Sequence, residues 1–299
     1  MSDYHRPVLL KESVDMLGIE PAGTYVDLTF GGGGHSREIL SRLGRRGRLV
    51  AFDQDAEAAA NRPDDERLTL VHGNFRFMRG QLRLLGIREV DGVLADLGVS
   101  SHHFDTPERG FSFRADGPLD MRMNRRGTLT AEKVLGSYTR DELTRILRDW
   151  GEIETPWKVA SCIERARADG PLTTTGQLLE AVAPCTPRKD PSKFLSKLFQ
   201  AVRIEVNGEM PALGMALQQS LRTLRPGGRL AVISYHSLED RMVKNFMRSG
   251  NFAGTVEKDF YGVPQTPFTE VSKGIAPGGD EQQSNPRSRS ARLRSATKR

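Results

Sequence analysis

The chain has 299 residues, of which 37% are hydrophobic and 27% charged, with a formal net charge of +6 and a pI near 9.5. This composition is typical of a globular protein, and the length favours one domain that carries an insertion. The sequence contains no apolar run long enough to span a membrane and no signal-peptide core, which argues against a membrane or secreted protein. The two cysteines, Cys162 and Cys185, lack metal-ligand spacing and predict a reducing cytoplasm without a metal site.

The first elements form a strand, a glycine turn and a helix. A short helix is predicted at residues 13–17 and a buried strand at 25–30, followed by four glycines at 31–34 and a helix at 37–43. Glycine reaches positive φ and lets a ligand approach the backbone closely. This unit therefore predicts the nucleotide-binding turn of a doubly wound α/β fold.

The spacing within the turn distinguishes between cofactors. A dinucleotide fingerprint requires G-x-G-x-x-G/A, and here the third glycine position is Ser36. Asp27 lies just before the turn, where methyltransferases of this fold direct an acidic residue at the amino group of S-adenosylmethionine. A purely structural turn, with Asp27 capping the helix, is the alternative interpretation.

The next strands are predicted at residues 48–53, 68–72 and 90–96. Asp53 ends the second strand, where a carboxylate can accept both ribose hydroxyls, while Asp55 is a candidate helix cap. Phe75 follows the third strand and could stack on an adenine, or could belong to the core. Asp96 ends the fourth strand, at the edge where open α/β sheets bind ligands.

Beyond residue 104 the alternation of strand and helix stops. Helices are predicted at 131–135, 140–150, 156–167 and 175–183, followed by a helix at 202–224, a strand at 229–234, a helix at 238–248, a hairpin at about 255–271 and a basic tail at 285–294. The sequence therefore predicts an α/β Rossmann-like fold with a mostly parallel sheet. Residues 1–104 and 201–299 form its main domain, and residues 105–200 form an inserted helical domain for substrate recognition.

Blocks distributed over the whole chain resemble a single family. They are His5-Arg-Pro-Val-Leu-Leu-Lys-Glu12, Asp27-Leu-Thr-Phe-Gly-Gly-Gly-Gly-His-Ser36, Asp96-Leu-Gly-Val-Ser-Ser101, Arg109-Gly-Phe-Ser-Phe113, Gly117-Pro-Leu-Asp-Met-Arg-Met123, Phe199-Gln-Ala-Val-Arg-Ile-Glu-Val-Asn207, Pro226-Gly-Gly-Arg-Leu-Ala-Val-Ile-Ser-Tyr-His-Ser-Leu-Glu-Asp-Arg241 and the tail. With these blocks the chain resembles the RsmH (MraW) family of class I methyltransferases. That family methylates the N4 atom of cytosine in small-subunit ribosomal RNA with S-adenosylmethionine.

The resemblance implies a set of cofactor contacts, which are Gly33, Gly34, His35, Asp53, Phe75, Asp96 and His103. His103 stands where the family usually has Gln in a Ser-Pro-Gln context. The implied partner is the ribosomal RNA of the small subunit, bound by a monomer or a homodimer.

The chemistry is expected to be an in-line displacement in which a proton acceptor assists the exocyclic amine. Asp96 is the preferred acceptor and Asp120 the second candidate, although Asp120 could instead pair with Arg122 or Arg125. His236 with Ser237 and Glu239 is a third candidate. These residues could instead cap the next helix, with Ser237 as the N-cap. N4 methylation needs no cysteine nucleophile, so neither cysteine receives a role.

RNA contact is expected from basic residues of the insertion and the tail, namely Arg122, Arg125, Arg126, Arg188, Lys189, Arg287, Arg289, Arg292 and Arg294. Such side chains neutralise phosphates without reading sequence. Phe111 and Phe113 could stack on a flipped base or could pack in a core. Two rival functions remain open: an assembly factor that keeps the cofactor pocket, and a nicotinamide oxidoreductase.

Overall fold

The computed structural model describes residues 7–299, and only the backbone of residues 101 and 102. His5 and Arg6 of the first family block lie outside the described residues. The chain divides into two units, one formed by the residues up to Gly98 together with Met210–Arg299, the other by Val99–Glu209. The sequence predicts an insertion at 105–200, which lies within the second of these units. We call the first unit the sheet unit and the second the helical unit.

The sheet unit contains a seven-stranded sheet. Its strands are β1 (Thr24–Asp27), β2 (Arg48–Asp53), β3 (Leu68–His72), β4 (Val90–Asp96), β5 (Leu224–Ser234), β6 (Phe268–Thr269) and β7 (Arg292–Lys298), in the order β3-β2-β1-β4-β5-β7-β6. The strands β1 to β5 pair in parallel, and β7 runs antiparallel to β5 and β6. The order reverses between β1 and β4, which creates the switch point where such sheets bind ligands. The predicted doubly wound, mostly parallel fold is confirmed.

Both faces of this sheet are buried. Successive side chains of a strand point to opposite faces. In β1, Tyr25 packs into one apolar cluster and Val26 into another, and in β2 Leu49 and Val50 divide in the same way. This explains why the strands are almost continuously apolar, as expected for parallel strands covered on both sides.

The helices in chain order are α1 (Leu10–Leu17), α2 (Gly34–Arg42), α3 (Met78–Leu84), α4 (Ser101–Asp105), α5 (Ala131–Ser137), α6 (Arg140–Asp149), α7 (Pro156–Asp169), α8 (Thr175–Val182), α9 (Pro191–Asn207), α10 (Glu209–Thr223), α11 (Ser237–Ser249) and α12 (Gly279–Ser284). Among residues 7–299, none of the helices is both long and apolar enough to cross a bilayer.

The single helix predicted at 202–224 is wrong. Helix α9 ends at Gly208, which has φ of +59° and whose N–H bonds to the carbonyl oxygens of Ile204 and Glu205. A left-handed residue of this kind closes a helix, and glycine adopts it without steric cost. Helix α10 then begins at Glu209, with Pro211 near its start, where a proline is tolerated.

The helical unit has its own apolar core, which includes Leu119, Met121, Ile146, Ile163 and Leu198. Three of its helices begin at a capping threonine: the hydroxyls of Thr130, Thr139 and Thr174 each accept a hydrogen bond from the backbone N–H three residues on. Phe111 belongs to this core and is only 3% exposed, so the suggestion that it stacks on a base is wrong.

The end of the chain is a strand, not a free basic tail. β7 pairs with β5 over six residues, and Leu293 and Ala296 are buried. Arg294 is 8% exposed, and its Nε and Nη2 donate to the two carboxylate oxygens of Asp240 at 2.7 and 2.9 Å. Arg294 is therefore unavailable to phosphate, whereas Arg287, Arg289 and Arg292 are exposed.

This role of the strand can be tested with Leu293→Ala. We expect it to lower the free energy of unfolding by about 2–5 kcal/mol, because it opens a cavity in a core where Leu293 is fully buried. Denaturant titration would measure this, with the exposed neighbour Arg292→Ala as the control. Equal, small effects of both substitutions would contradict a structural role.

Candidate active site

The glycine turn joins β1 to α2 through two residues with positive φ. Gly31 has φ of +50° and Gly33 of +74°, and the N–H of Gly33 donates to the carbonyl oxygen of Phe30 at 2.7 Å. Gly33 is the N-cap of α2. A side chain would be strained at both positions, so the predicted turn is present and its conformation explains these glycines.

Gly34 is required for a different reason. A Cβ atom there would lie 2.0 Å from Cγ of Pro7, whereas a Cβ at Gly31 would meet no atom within 4 Å. Close packing against Pro7 therefore accounts for Gly34, and the open side of the turn lies at Gly31. That open side is where a ligand can approach the backbone.

The three adjacent strands β2, β1 and β4 each end on an aspartate. Asp27 of β1 is fully buried; its Oδ1 accepts from the backbone N–H of Thr29 at 3.0 Å, and its Oδ2 accepts from the Ser36 hydroxyl at 2.7 Å. These bonds tie the strand end to the first turn of α2. Both oxygens of Asp27 are thus engaged within the protein.

Asp53, at the end of β2, orients the glycine turn. Its Oδ2 accepts from the N–H of Gly31 at 2.7 Å and its Oδ1 from the N–H of Asp55 at 2.8 Å. Asp55 caps the following helical turn, as predicted, because its Oδ1 accepts from the N–H of Glu57 at 3.0 Å. The bonds from Gly31 and Asp55 fix the carboxylate of Asp53 at the end of β2, beside the glycine turn.

A cavity of about 180 Å³ lies beside Asp53. It is lined by Asp53, Asp55, Ala56, Ala59, Leu70 and His72. An apolar wall with carboxylates at one end suits a nucleoside. A wider depression of about 500 Å³ in the helical unit is lined by Gly136, Glu164, Arg167, Ala168, Gly170 and Pro171, and none of the predicted site residues contributes to it.

The loop after β3 carries the predicted adenine contact. Phe75 is half-buried against the core of the sheet unit, and Asn74 Nδ2 donates to Gln54 Oε1 at 2.9 Å, which links the ends of β2 and β3. Phe77, two residues further on, is 52% exposed beneath the guanidinium of Arg76.

His35 lies on the other side of the turn, in α2. Its Nε2 is 3.2 Å from the carbonyl oxygen of Val8 and therefore carries the hydrogen of that bond. Its Nδ1 lies 3.6 Å from Oδ2 of Asp96. That nitrogen can donate to Asp96 only when the imidazole is doubly protonated.

Asp96, at the end of β4, has a carboxyl group with a raised pKa. Its Oδ1 accepts from the Tyr235 hydroxyl at 2.7 Å, and its side chain is 23% exposed. The pKa of Asp96 is raised to about 6, chiefly by burial; nearby Asp27 and Glu239 also raise the pKa, while His35 and the Tyr235 hydroxyl lower it. A partly exposed carboxyl that titrates near neutrality is suited to accepting a proton.

Tyr235 is a site residue that the sequence analysis did not identify. It directly follows β5, and its backbone N–H donates to Oε2 of Glu239 at 2.9 Å. Burial, reinforced by Asp96, holds the pKa of Tyr235 well above 10, so the phenol stays neutral and acts as a donor. His236 rather than Ser237 is the N-cap of α11, with Nδ1 accepting from the N–H of Glu239 at 3.4 Å.

Asp120 and His103 belong to the helical unit. Asp120 makes a bidentate pair with Arg122, with Nε to Oδ1 and Nη2 to Oδ2 both at 2.7 Å. Partial burial raises the pKa of Asp120, but the bonds to Arg122 outweigh it and the pKa is lowered. His103 is buried beside Phe111, with ring centroids 4.9 Å apart, and its Nδ1 is 3.2 Å from the Ser100 hydroxyl.

Asp120 lies in a constrained loop. Met121 is fully buried with φ of +56°. Asn207 holds the loop from both sides, because its Nδ2 donates to the carbonyl oxygen of Met121 and its Oδ1 accepts from the N–H of Met123, each at 2.8 Å. This family block therefore has a structural explanation.

A doubly wound sheet with a glycine turn after β1, and with carboxylates at the ends of β2 and β4, defines the architecture of a class I methyltransferase. The model of the MraW methylase family matches residues 2–299. The chain belongs to the MraW methylase family and is an S-adenosylmethionine-dependent methyltransferase. The resemblance found in the sequence is confirmed, and the nicotinamide oxidoreductase is excluded.

Curated relatives align with this chain over almost their full length. The chain is 56% identical over 296 residues to ribosomal RNA small subunit methyltransferase H of Bacteroides fragilis, covering 99% of this chain and 97% of that protein. The protein of the same name from Parabacteroides distasonis is 54% identical over 299 residues, covering 99% and 98%. A solved rRNA methylase from Streptococcus thermophilus is 14% identical with a TM-score of 0.43, covering 98% of this chain and 97% of that one.

Proposed function

We propose that this protein transfers the methyl group of S-adenosylmethionine to the exocyclic N4 of a cytidine in small-subunit ribosomal RNA. The family and the names of its relatives support the reaction and the RNA. The observation that supports methyl transfer at the end of β4 is the carboxyl group of Asp96, which is partly exposed and has a raised pKa.

The residues of the sheet unit fit the cofactor. Asp53 presents a carboxylate at the end of β2, where this fold binds the ribose. The open side of the turn at Gly31 admits a ligand to the backbone, and Phe75 offers a ring to adenine. His35 and His103 remain proposed contacts. When bound, the cofactor supplies a sulfonium methyl group that is already activated for transfer.

Asp96 assists the nucleophile. The lone pair of a cytosine amine is delocalised into the ring, and a carboxylate that accepts one N–H bond makes it more available. The new bond joins N4 to the methyl carbon as the bond from that carbon to sulfur breaks. The surplus proton on N4 passes to Asp96 and then to solvent.

Asp96 suits this role better than Asp120. Both oxygens of Asp120 are occupied by the guanidinium of Arg122, which lowers its pKa and its basicity. In Asp96 the Tyr235 hydroxyl occupies only Oδ1, and the neighbour of Oδ2 is a His35 nitrogen at 3.6 Å. We therefore assign Oδ2 of Asp96 as the acceptor.

The helical unit is proposed to recognise the RNA. Of the basic residues predicted to contact RNA in this unit, Arg125, Arg126, Arg188 and Lys189 are exposed, whereas the guanidinium of Arg122 pairs with Asp120. A target base must leave its stack to present N4, so an unpaired stretch of the assembled particle is the proposed substrate. We place this reaction in the cytoplasm, carried out by a monomer or a homodimer.

The rate of transfer should depend on the protonation of Asp96. Since the acceptor must be charged, kcat should rise with pH through about 6 in the wild-type protein. The Tyr235 hydroxyl lowers the pKa of Asp96, so Tyr235→Phe should raise that pKa and shift the midpoint to higher pH. At high pH most of the rate should return.

The control for this shift is Tyr138→Phe, which removes another phenol–carboxylate bond, the 3.1 Å contact to Glu205 in the helical unit. Its kcat profile should keep the wild-type midpoint. A Tyr235→Phe profile with a uniformly lower rate and an unmoved midpoint would contradict the assignment of Asp96 as the titrating acceptor.

The proposed function is tested by incubating the protein with labelled S-adenosylmethionine and small ribosomal subunits from cells that lack it. Nucleoside analysis should then show the label on N4 of cytosine. Label on another base would keep the enzyme but refute the position. Tight binding of cofactor and particle without transfer would support the assembly factor instead.

A further inference from the structure

Two aromatic side chains project from the segment between α11 and β6. We call Phe260 and Tyr261 the aromatic tip; they are 96% and 87% exposed. Their rings meet edge to face, with centroids 5.5 Å apart at 86°. Neither ring contributes to the apolar cores of the sheet unit, so burial within that unit does not explain them.

The turn that carries the tip is well ordered by hydrogen bonds. Asp259 Oδ1 accepts from the backbone N–H groups of Tyr261 and Val263, both at 2.9 Å, and the N–H of Asp259 donates to the carbonyl oxygen of Val263 at 3.0 Å. Gly262 has φ of +80°, and the N–H of Gln265 donates to Glu257 at 2.8 Å. The backbone that carries the two rings is therefore held in one conformation, which reduces the backbone entropy lost on binding.

A basic helix face adjoins the base of this segment. Lys244 and Arg248 are exposed on α11, and their spacing of four residues puts them on one face of the helix. The Nη2 of Arg248 donates to the carbonyl oxygen of Gly254 at 2.6 Å, which fixes the helix to the segment. Lys258 and Glu257 are also exposed, so charged side chains flank the apolar surface formed by the two rings and by Val263, which is 53% exposed.

We propose that the aromatic tip docks an unpaired stretch of RNA in the small ribosomal subunit, with bases stacked on Phe260 and Tyr261 and phosphate near Lys244. Isolated rings beside basic side chains are the usual platform for single-stranded RNA. A protein interface would favour a continuous apolar patch, which the charged neighbours interrupt. This docking site rests on the proposed function, because it serves the same RNA substrate.

The test is the double substitution Phe260→Ala with Tyr261→Ala in the full-length protein. Since stacking of a base on an aromatic ring contributes strongly to single-strand binding, KM for small ribosomal subunits should rise about tenfold or more. The kcat at saturating particle and the Kd for S-adenosylmethionine should stay unchanged. Leu84→Ala, which shortens another highly exposed apolar side chain, is the control and should leave KM unchanged.

Conservative variants separate stacking from folding. Tyr261→Phe together with Phe260→Tyr keeps both rings and should retain the wild-type KM. Lys244→Gln should reduce the slope of log affinity against log salt by about one, as expected for one lost phosphate contact. An unchanged KM in the double alanine variant would overturn the docking site.

Photo-crosslinking identifies the partner. Irradiation of the wild-type protein on the particle should join the peptide that contains the tip to ribosomal RNA. A crosslink to a ribosomal protein, or a change in the oligomeric state of the double alanine variant, would overturn the RNA assignment. Particle binding measured without cofactor tests the tip even if wild-type protein transfers no methyl group, so the two proposals can fail separately.

Discussion

Asp96→Asn should reduce the rate of methyl transfer to small ribosomal subunits by about 10²- to 10⁴-fold, the range usual for loss of a general base. The asparagine oxygen can still accept the bond from the Tyr235 hydroxyl. The amide nitrogen then replaces Oδ2, and this group cannot take the proton from N4. Measurement of kcat at saturating cofactor and particle would show the loss.

The fold should tolerate this substitution. Because burial raises the pKa of Asp96 to about 6, its charge opposes folding at neutral pH, and a neutral amide removes that cost. The unfolding midpoint should therefore not fall. Asp64→Asn, on an exposed carboxyl of the same unit, should leave kcat unchanged. A rate within tenfold of wild type would contradict Asp96 as the acceptor and favour Asp120.

The aspartates of the sheet edge could be predicted because a local pattern marks them. Asp53 and Asp96 each follow a short apolar run, and an acidic residue that ends such a run lies at the carboxyl edge of a parallel sheet. Their functional atoms could not be assigned from the sequence. Which oxygen of each carboxylate is engaged depends on Gly31 and Tyr235, which lie far away along the chain.

Tyr235 was missed because its contact with Asp96 joins the ends of two strands separated by 139 residues. A signal was present, since Tyr235 follows β5 directly and β5 pairs with β4. Any polar residue at that position faces the same sheet edge as Asp96. The adjacency of β4 and β5 depends on the whole topology, which a long helical insertion conceals.

Two errors have different physical causes. The break between α9 and α10 was marked by Gly208 and Pro211, the pair that ends one helix and starts another. The strand β7 was concealed by its arginines, which resemble a solvated tail. Only Leu293 and Ser295 alternate with these arginines, which is too short a pattern to indicate a strand. The burial of Arg294 depends on its hydrogen bond to Asp240 in α11.

The family resemblance carried residues with unequal physical roles. The resemblance implies that Gly34 contacts the cofactor, but the structure shows that glycine is needed there because a Cβ atom would clash with Pro7. Asp120 came from a block specific to the family, and the structure pairs it with Arg122. A family motif thus identifies positions that matter, while contacts decide whether they serve binding or folding.

Asp53→Asn should raise the Kd for S-adenosylmethionine about 100-fold, because two hydrogen bonds to a carboxylate are lost at about 1.5 kcal/mol each. The amide also places a donor against the N–H of Gly31 or Asp55, both of which now donate to Asp53, so the glycine turn loses one of its anchors. At saturating cofactor kcat should change little, since β1 lies between the strands that end at Asp53 and Asp96. Isothermal titration would measure the affinity.

Asp55→Asn is the matched comparison for this prediction. Asp55 lines the same cavity, but its carboxylate caps the next helical turn through the N–H of Glu57, and asparagine caps as well as aspartate. Its Kd should therefore stay within about twofold of wild type, since the cap bond is kept. If the two variants lost affinity equally, the ribose would not be held by Asp53 in particular, and the small cavity would bind the nucleoside through the charge of both carboxylates.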